Sequence, residues 1–453
     1  MNRSQKEISN YYPFEIDGET FLFISNTVSL YKVSRKVFDA ATKGNREDMA
    51  ALFPSRDNAP KEERLEEHED RANRDPEFKE MYLQIIHDCN LNCGYCYAGG
   101  GTFGGEAARM DIATAEKAAD FFIENLNPTA IGDFGFDGGE PFLNWDIIEH
   151  MVPYAREKAA KLHKKLSFHI GTNGTLFTPR TNAFIKENEI SLGVSIDGEK
   201  HTHDAHRTSR DNRGSYDRVI RNIKSLLEIS QNHDMQARAT ITRTDLKCLE
   251  IAKHLRQLGF RHIYLEPVAG SREPWLFSAA DLQMIKQEFS RLALFYRDEL
   301  LAGRFFIFRN FFIFLKRLHL KKRAIYRCGV GRSSLAFTPR GDIFPCYKFS
   351  GIPQYRMGSV HGEPIAVNIK REFQQNHVDR RPGCRDCWAK YLCGGGCAYL
   401  SFCKKNDMNM NDPQDCELSR HLATLSLQIY AAVQMKKPKL WDAFFQVEKK
   451  PNP

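Results

Sequence analysis

Cys89-Asn90-Leu91-Asn92-Cys93-Gly94-Tyr95-Cys96 governs how the rest of this 453-residue chain reads. Three thiolates packed this closely suit three irons of a [4Fe–4S] cube, and they leave the fourth iron without a protein ligand. An iron with an open position can take a small molecule, so the stretch reads as a reactive centre. Two plainer readings compete. A structural zinc site wants four closed ligands, usually from paired C-x2-4-C knuckles. A disulfide with a spare thiol wants an oxidising compartment.

Outward from the cysteines, strand and helix patterns alternate from Phe78 onward. Strands are expected at 80–87, 133–137, 166–171, 192–197, 236–242 and 262–267. Helices are expected at 113–125, 145–163, 181–189, 216–230 and 249–258. Repeated strand-then-helix units give an α/β fold with a parallel sheet. Polar and glycine motifs follow the strand ends. The cysteines come after the first strand and Gly138-Gly139-Glu140-Pro141 after the second. Gly171-Thr172-Asn173-Gly174 follows the third and Ser195-Ile196-Asp197-Gly198 the fourth. Ligand-contacting residues concentrate at such C-terminal strand ends.

C-x3-C-x-aromatic-C, with Gly-Gly-Glu-Pro at this offset, closely resembles the signature of the radical S-adenosylmethionine (SAM) superfamily. The resemblance implies a partial (β/α)6 TIM-like barrel. It also implies a [4Fe–4S] cluster on Cys89, Cys93 and Cys96 whose open iron chelates SAM. One electron would then cleave SAM to methionine and a 5′-deoxyadenosyl radical, which abstracts hydrogen from the substrate. Gly138, Gly139 and Glu140 would bind the SAM amino group. Thr172, Asn173, Ser195 and Asp197 would meet its ribose and carboxylate, Arg207 would pair with the carboxylate, and Tyr95 would line the cofactor site. Asn-Gly and Asp-Gly are also ordinary turn formers. His201, His203 and His206 read as loop-tying or solvated rather than as ligands. Gly99 to Gly105 lacks the Lys-Ser/Thr of a phosphate loop and reads as a lid. Cys248 reads as a small buried hydrophobe.

A second cysteine pattern, Cys384-x2-Cys387-x5-Cys393-x3-Cys397, lies downstream. Cys328-x12-Gly341-x4-Cys346 precedes it and Cys416 follows. Together they resemble the SPASM domain, which holds two auxiliary [4Fe–4S] clusters, for three clusters in all. The resemblance assigns Cys384, Cys387, Cys393 and Cys416 to one cluster. Cys328, Cys346 and Cys397 would hold the other with a site left open. Paired zinc knuckles are the alternative. Cys403 has no place in the pattern, as a free thiol or a substitute ligand. Anaerobic sulfatase maturases carry a further cysteine where this chain has Ser334, and an aspartate where it has Tyr347. Phe344-Pro345-Cys346-Tyr347-Lys348-Phe349-Ser350-Gly351 looks closer to maturases that build thioethers in cysteine-containing peptides. That group uses the radical to join a Cys sulfur to carbon within a ribosomally made precursor. A carbon–carbon crosslink or modification of an enzyme subunit is the alternative, and a non-catalytic iron–sulfur carrier is the rival from another class.

At the N-terminus, 12–16, the turn Asp17-Gly18 and 20–24 read as a hairpin, with a third strand at 29–33. A helix from Ser34 to Lys43 should end at Gly44, and two further helices are expected at 46–52 and 61–74. Three strands then three helices resemble a winged-helix peptide-recognition element, which grips a precursor's leader as an added strand. A plain α/β cap is the alternative. The expected organisation is 1–77 for this element, 78–275 for the barrel and 276–327 for a helical bridge. The SPASM domain would fill 328–420, with a C-terminal helix and tail over 421–453. The bridge should bury Phe289, Leu292, Leu294 and Phe295.

Composition excludes other classes. Hydrophobic content of 42% and charged content of 27% are those of a globular protein. A net charge of +8 is small for this length, and no basic patch with a matching motif points to nucleic acid. The most apolar stretch, 305–315, is too short to span a bilayer, so no membrane partner is expected. Met1 to Lys6 leads into no apolar segment, so no signal peptide is expected. Twelve cysteines without export argue for metal in the cytoplasm. The chemistry needs an electron donor such as flavodoxin or ferredoxin.

Overall fold

The computed structural model describes residues 10–44, 78–229, 235–269 and 274–449. Strand β1 (Tyr11–Ile16) turns at Asp17-Gly18, both with positive φ, into β2 (Glu19–Ile24), and β3 (Ser29–Lys32) completes an antiparallel sheet in the order β1-β2-β3. Helix α1 (Arg35–Lys43) ends at Gly44, whose φ of 68° lets its N–H reach back to the last carbonyls. Ser34 precedes that helix without a capping side-chain bond. The helices expected at 46–52 and 61–74 lie outside the described residues.

The main sheet is built on side-chain alternation, although Gln84 and Ile86 of its first strand are buried as well. Along β4 (Glu80–His87), Met81, Leu83 and Ile85 are fully buried, whereas Tyr82 is only half-buried. After a short β5 (Ala108–Arg109) comes α2 (Ile112–Glu124), capped by Asp111, which accepts from Thr114 N at 2.7 Å. The series continues with β6 (Ile131–Gly138), α3 (Trp145–Lys161), β7 (Lys165–Thr172), α4 (Pro179–Glu187) and β8 (Ser191–Ser195). It closes with α5 (Lys200–Asp204), α6 (Tyr216–Ile229), β9 (Met235–Ile241), α7 (Cys248–Gln257) and β10 (His262–Pro267). Phe134, Phe136, Phe168, Ile170, Val194, Ala237, Ala239, Ile263 and Leu265 are buried in the apolar core. The alternate positions carry Tyr82, Asp137, His169, Arg238, Tyr264 and Glu266. One face therefore packs on helices and the other lines a polar lumen.

The strand expectations hold to within a few residues. The fourth is the exception in meaning, because it ends at Ser195 and leaves Asp197 in the loop beyond. The six expected strands, in the order β10-β9-β8-β7-β6-β4, are the middle of a longer sheet that continues beyond β10 on one side and beyond β4 on the other, with β5 alongside β4. The bridge is not all helix. Between α8 (Ala279–Leu301) and α9 (Arg309–His319), β11 (Ile307–Phe308) pairs parallel to β10. Asn310 then gives and takes a bond with the Leu265 main chain (2.7 and 3.0 Å), continuing the ladder with a side-chain amide. The expectation that Leu294 is buried is wrong: it is 55% exposed. Leu282, Ile285, Phe289, Leu292, Ala293, Tyr296 and Leu300 set the buried stripe of α8, and Leu294 falls off it. Phe295 is half-buried.

C-terminal to the bridge, β12 (Ser334–Phe337) pairs parallel to β4, so the sheet runs on across 327/328. Antiparallel β13 (Asp342–Phe344) and β14 (Gly358–Ser359) follow. Helices α10 (Val367–Gln375), α11 (Lys390–Cys393), α12 (Ala398–Lys405), α13 (Pro413–Lys436) and α14 (Leu440–Lys449) complete the chain. The N-terminal sheet docks here. Tyr12 stacks on Trp388 with centroids 3.7 Å apart, and its hydroxyl lies 3.0 Å from that of Thr424 on α13. Among the described residues, no helix is long and apolar enough to cross a membrane.

Candidate functional site

Cys89 sits just beyond β4 because Asp88 holds the turn: its carboxylate accepts the Cys89 N–H (2.8 Å), and its carbonyl accepts the Glu140 N–H (2.9 Å). That second bond needs glycine. A Cβ on Gly139 would lie 1.9 Å from the Asp88 carbonyl oxygen, and one on Gly138, at φ 132°, 2.2 Å from that of Ile86. The two glycines thus draw the end of β6 against the start of the cysteine loop.

Cys93 and Cys96 both act to raise Cys89. With burial as the main cause and Glu140 next, its pKa is pushed up to about 12. Burial also lifts Cys93 to about 11, against the pull of Arg207. Buried thiols of this kind give up their protons to metal, since a bound cation inverts the local preference for the neutral form.

Glu140 is fully buried and takes bonds from the Thr172 hydroxyl (2.8 Å), Asn173 N–H (2.7 Å) and Phe142 N–H (3.1 Å). Burial outweighs these donors and holds its carboxyl at about 7. Thr172 and Asn173 therefore orient Glu140. The Asn173 amide also reaches Asn90 Oδ1 at 2.8 Å and Cys89 Sγ at 3.7 Å.

Asp197, 1% exposed, is the second hub. It accepts from Arg207 Nε (2.9 Å) and Nη2 (3.1 Å), from Thr240 N–H (2.9 Å) and from the Tyr95 hydroxyl. Arg207 also lies over the Tyr95 ring, 5.4 Å from its centroid. Ser195 ends β8, in register with Arg238 of β9. His203 bonds Ser215 (2.9 Å) and the Asp197 N–H (3.4 Å), and His206 bonds Thr244 (2.8 Å), so both tie loops. Cys248 is fully buried at the start of α7.

The downstream cysteines form two groups. Cys384, Cys387, Cys393 and Cys416 line one concavity enclosing ≈ 360 Å³ of non-protein space, open solvent included. Burial pushes Cys384 up to about 11 and Cys416 to about 12, each further raised by Cys393. Cys397 faces elsewhere, with Cys328 and Cys346: burial first, then these two neighbours, drive Cys346 upward. Cys403 lies by Cys397 and Tyr399. A zinc ion needs ligands converging on one point at about 2.3 Å for sulfur. Among the described residues no three His, Cys, Asp or Glu side chains are grouped that way. Four thiols lining one cavity fit the donor set of a [4Fe–4S] cube.

Several neighbours had no motif to announce them. Trp275 donates its indole N–H to Gly94 O (3.0 Å), inside the cysteine loop, and meets Tyr95 and His206 edge-on. Asp88 and Asn90 orient the loop, as above. Arg238, Glu266 and Lys348 line the lumen, and Glu266 accepts from Lys348 Nζ at 2.8 Å. Charged residues alternating with Ala237, Ala239 and Leu265 in buried strands were the available signal for the first two.

Residues 83–235 match the profile of the Radical SAM superfamily. The cysteine-type anaerobic sulfatase-maturating enzyme of Clostridium novyi (strain NT) is 25% identical over 335 residues, 68% of this chain and 85% of that protein. Among solved structures, native anSMEcpe with bound AdoMet and Cp18Cys peptide matches at TM-score 0.67 and 19% identity, over 82% of this chain and all of that one. Streptococcus suis SuiB bound to precursor peptide SuiA matches at TM-score 0.54 and 14% identity, over 90% and 98%.

Proposed function

From the match of residues 83–235 to the Radical SAM superfamily, we propose that the chain is a radical SAM peptide maturase that installs thioether crosslinks in a ribosomally made precursor. Cys89, Cys93 and Cys96 would hold the SAM-binding [4Fe–4S] cluster, with Glu140 receiving the SAM amino group and Tyr95, Ser195, Asp197 and Arg207 framing the rest. When bound, the cluster would give the one electron that cleaves SAM to methionine and a 5′-deoxyadenosyl radical, which would take hydrogen from the substrate. Around them the chain orients and shields: Thr172 and Asn173 aim Glu140, Asp197 fixes Arg207, and Trp275 covers the cysteine loop.

Two auxiliary clusters would sit in the downstream thiol groups of a SPASM domain. What supports the thioether reading is the second group, where Cys328 and Cys397 stand near Cys346: a cube held by these three would be one ligand short of closed. Ser334 is buried in β12 where sulfatase maturases carry another cysteine, and Tyr347 stands in place of their aspartate. An iron left open there would suit a substrate thiolate. The N-terminal sheet would bind the precursor's leader by strand addition. In support, β3 pairs only with β2 among the described residues. Twelve unpaired cysteines fit a reducing cytoplasm, where a flavodoxin or ferredoxin is at hand.

A protein substrate is the second reading, favoured by the similarity to the sulfatase-maturating enzyme of Clostridium novyi. The test is anaerobic incubation of reconstituted enzyme with SAM, reductant and the products of short open reading frames beside its gene. Loss of two hydrogens per crosslink, with a cysteine that no longer alkylates, is the expected result. An unchanged mass, or a lost pair of hydrogens with every cysteine still alkylatable, refutes thioether formation.

A further inference from the structure

The lumen holds a charge arrangement that nothing described so far uses. Glu266 on β10 accepts from Lys348 Nζ at 2.8 Å and from Arg238 Nη2 of β9 at 3.3 Å. Burial works to raise Glu266, but the two cations hold it down at about 2. One carboxylate thus serves two cations.

Arg238 is the less satisfied of the pair. Its side chain is 39% exposed, against 10% for that of Lys348, and it makes no other side-chain hydrogen bond to a described residue. The Nε and Nη1 donors of its planar fork therefore have no hydrogen-bond partner among the described residues. Asp137 of β6 is also within electrostatic reach, but it already accepts the Gly138 N–H at 2.8 Å, and burial drives its carboxyl toward the neutral form. A guanidinium facing the lumen, with a shared counter-charge and donors that meet no described residue, is an anion-binding group.

Its position gives the anion a purpose. The Arg238 carbonyl accepts the Ile196 N–H at 2.9 Å, next to Asp197. Across the lumen, Lys348 lies two residues after Cys346. Gly193 is directly beside Arg238, where a Cβ would lie 3.5 Å from Arg238 Cδ, so the floor of the lumen has room there. A group held by Arg238 would lie between the SAM-binding residues and the three-thiol group.

We propose that Arg238 is a specificity-determining residue that binds a carboxylate of the substrate peptide, with the Lys348–Glu266 pair fixing its guanidinium. The inference rests on the peptide-substrate reading above. The carboxylate comes from an aspartate or glutamate side chain or from the peptide's C-terminus.

Calorimetry on the anaerobically reconstituted, SAM-bound enzyme tests it with three probes: acetyl-Gly-Asp-Gly-amide, acetyl-Gly-Asn-Gly-amide and acetyl-Gly-Gly-Gly with a free carboxyl. A carboxylate probe should bind on the order of tenfold or more tightly than the asparagine probe, as for a charge-assisted pair. Preference for the aspartate probe assigns the side chain, and preference for the free-carboxyl probe assigns the C-terminus. R238Q should erase the preference and R238K should keep part of it, with SAM affinity unchanged in both. Equal binding of all three probes, no binding of either carboxylate, or a preference that survives R238Q overturns the proposal. So does loss of SAM affinity in R238Q, which would give the guanidinium to SAM's own carboxylate. The probes are not turned over, so the outcome is independent of whether the enzyme forms thioethers.

Discussion

Replacing Glu140 with glutamine tests the SAM site most directly. The carboxyl is fully buried, takes three hydrogen bonds and titrates near 7. If the ionised form receives the SAM amino group, affinity for SAM rises as pH climbs through that value. A group titrating at about 7 goes from about 10% ionised near pH 6 to about 90% near pH 8, so affinity should rise about ninefold across that span. The amino group of SAM itself loses a proton over the upper part of this range and moves affinity the same way. E140Q is the control, because it retains that contribution and removes the Glu140 one. At about pH 8 the charge-assisted bond is worth about 1.5–3 kcal/mol, so E140Q should bind SAM about 10- to 100-fold more weakly, with a flatter pH profile. Folding moves in the opposite sense. The carboxyl's pKa is raised above that of the unfolded chain, so the SAM-free protein binds the extra proton and loses stability as pH rises from about 4.5 to about 7. Anaerobic calorimetry across pH 6 to 8 reads the first effect, and urea unfolding of the SAM-free protein at about pH 5 and 7.5 reads the second. Wild-type affinity that is flat with pH, or an E140Q affinity within about twofold of wild type, would refute the assignment.

Iron counting separates the three thiol groups. Removing Cys89, Cys93 or Cys96 singly should cost about four irons and abolish 5′-deoxyadenosine formation, Cys416→Ala should cost about four from the four-thiol site, and Cys346→Ala about four from the three-thiol site. Cys403→Ala should leave the iron content unchanged, and a loss there would make Cys403 a ligand. Gly139→Ala should destabilise the fold by on the order of 3 kcal/mol or more, since the new methyl meets main chain rather than a yielding side chain. Urea unfolding checks this, and a midpoint like wild type's would mean that the 88/139 crossing can relax.

Much of the site could be read from local spacing. The Cys89 to Cys96 loop, the Gly138-Gly139-Glu140 turn and the Asp197 loop each follow a strand, because a parallel sheet delivers successive strand ends to one rim. What each residue touches was less legible. Thr172 and Asn173 hold Glu140 from 32 and 33 residues away, and Asp197 locks Arg207. Leu294 misled for a simple reason: an apolar residue between two stripe positions looks like core until the helix phase is known. Trp275 carried no signal, since its contact with Gly94 spans 181 positions.

The order of residues along the chain was enough to specify the six central strands, the helices between them and the cysteine-bearing loop at 89–96. Each depends on neighbours within a few positions: side-chain alternation, capping, and a glycine where a Cβ would collide. The passage of the sheet from β4 into β12 and the meeting of Arg238, Glu266 and Lys348 were settled only on folding. These contacts join strands and loops up to 254 positions apart, as in the pairing of Glu80 with Ser334. Hydrophobic burial brings such residues together without regard to their spacing, so no local pattern encodes which of them meet.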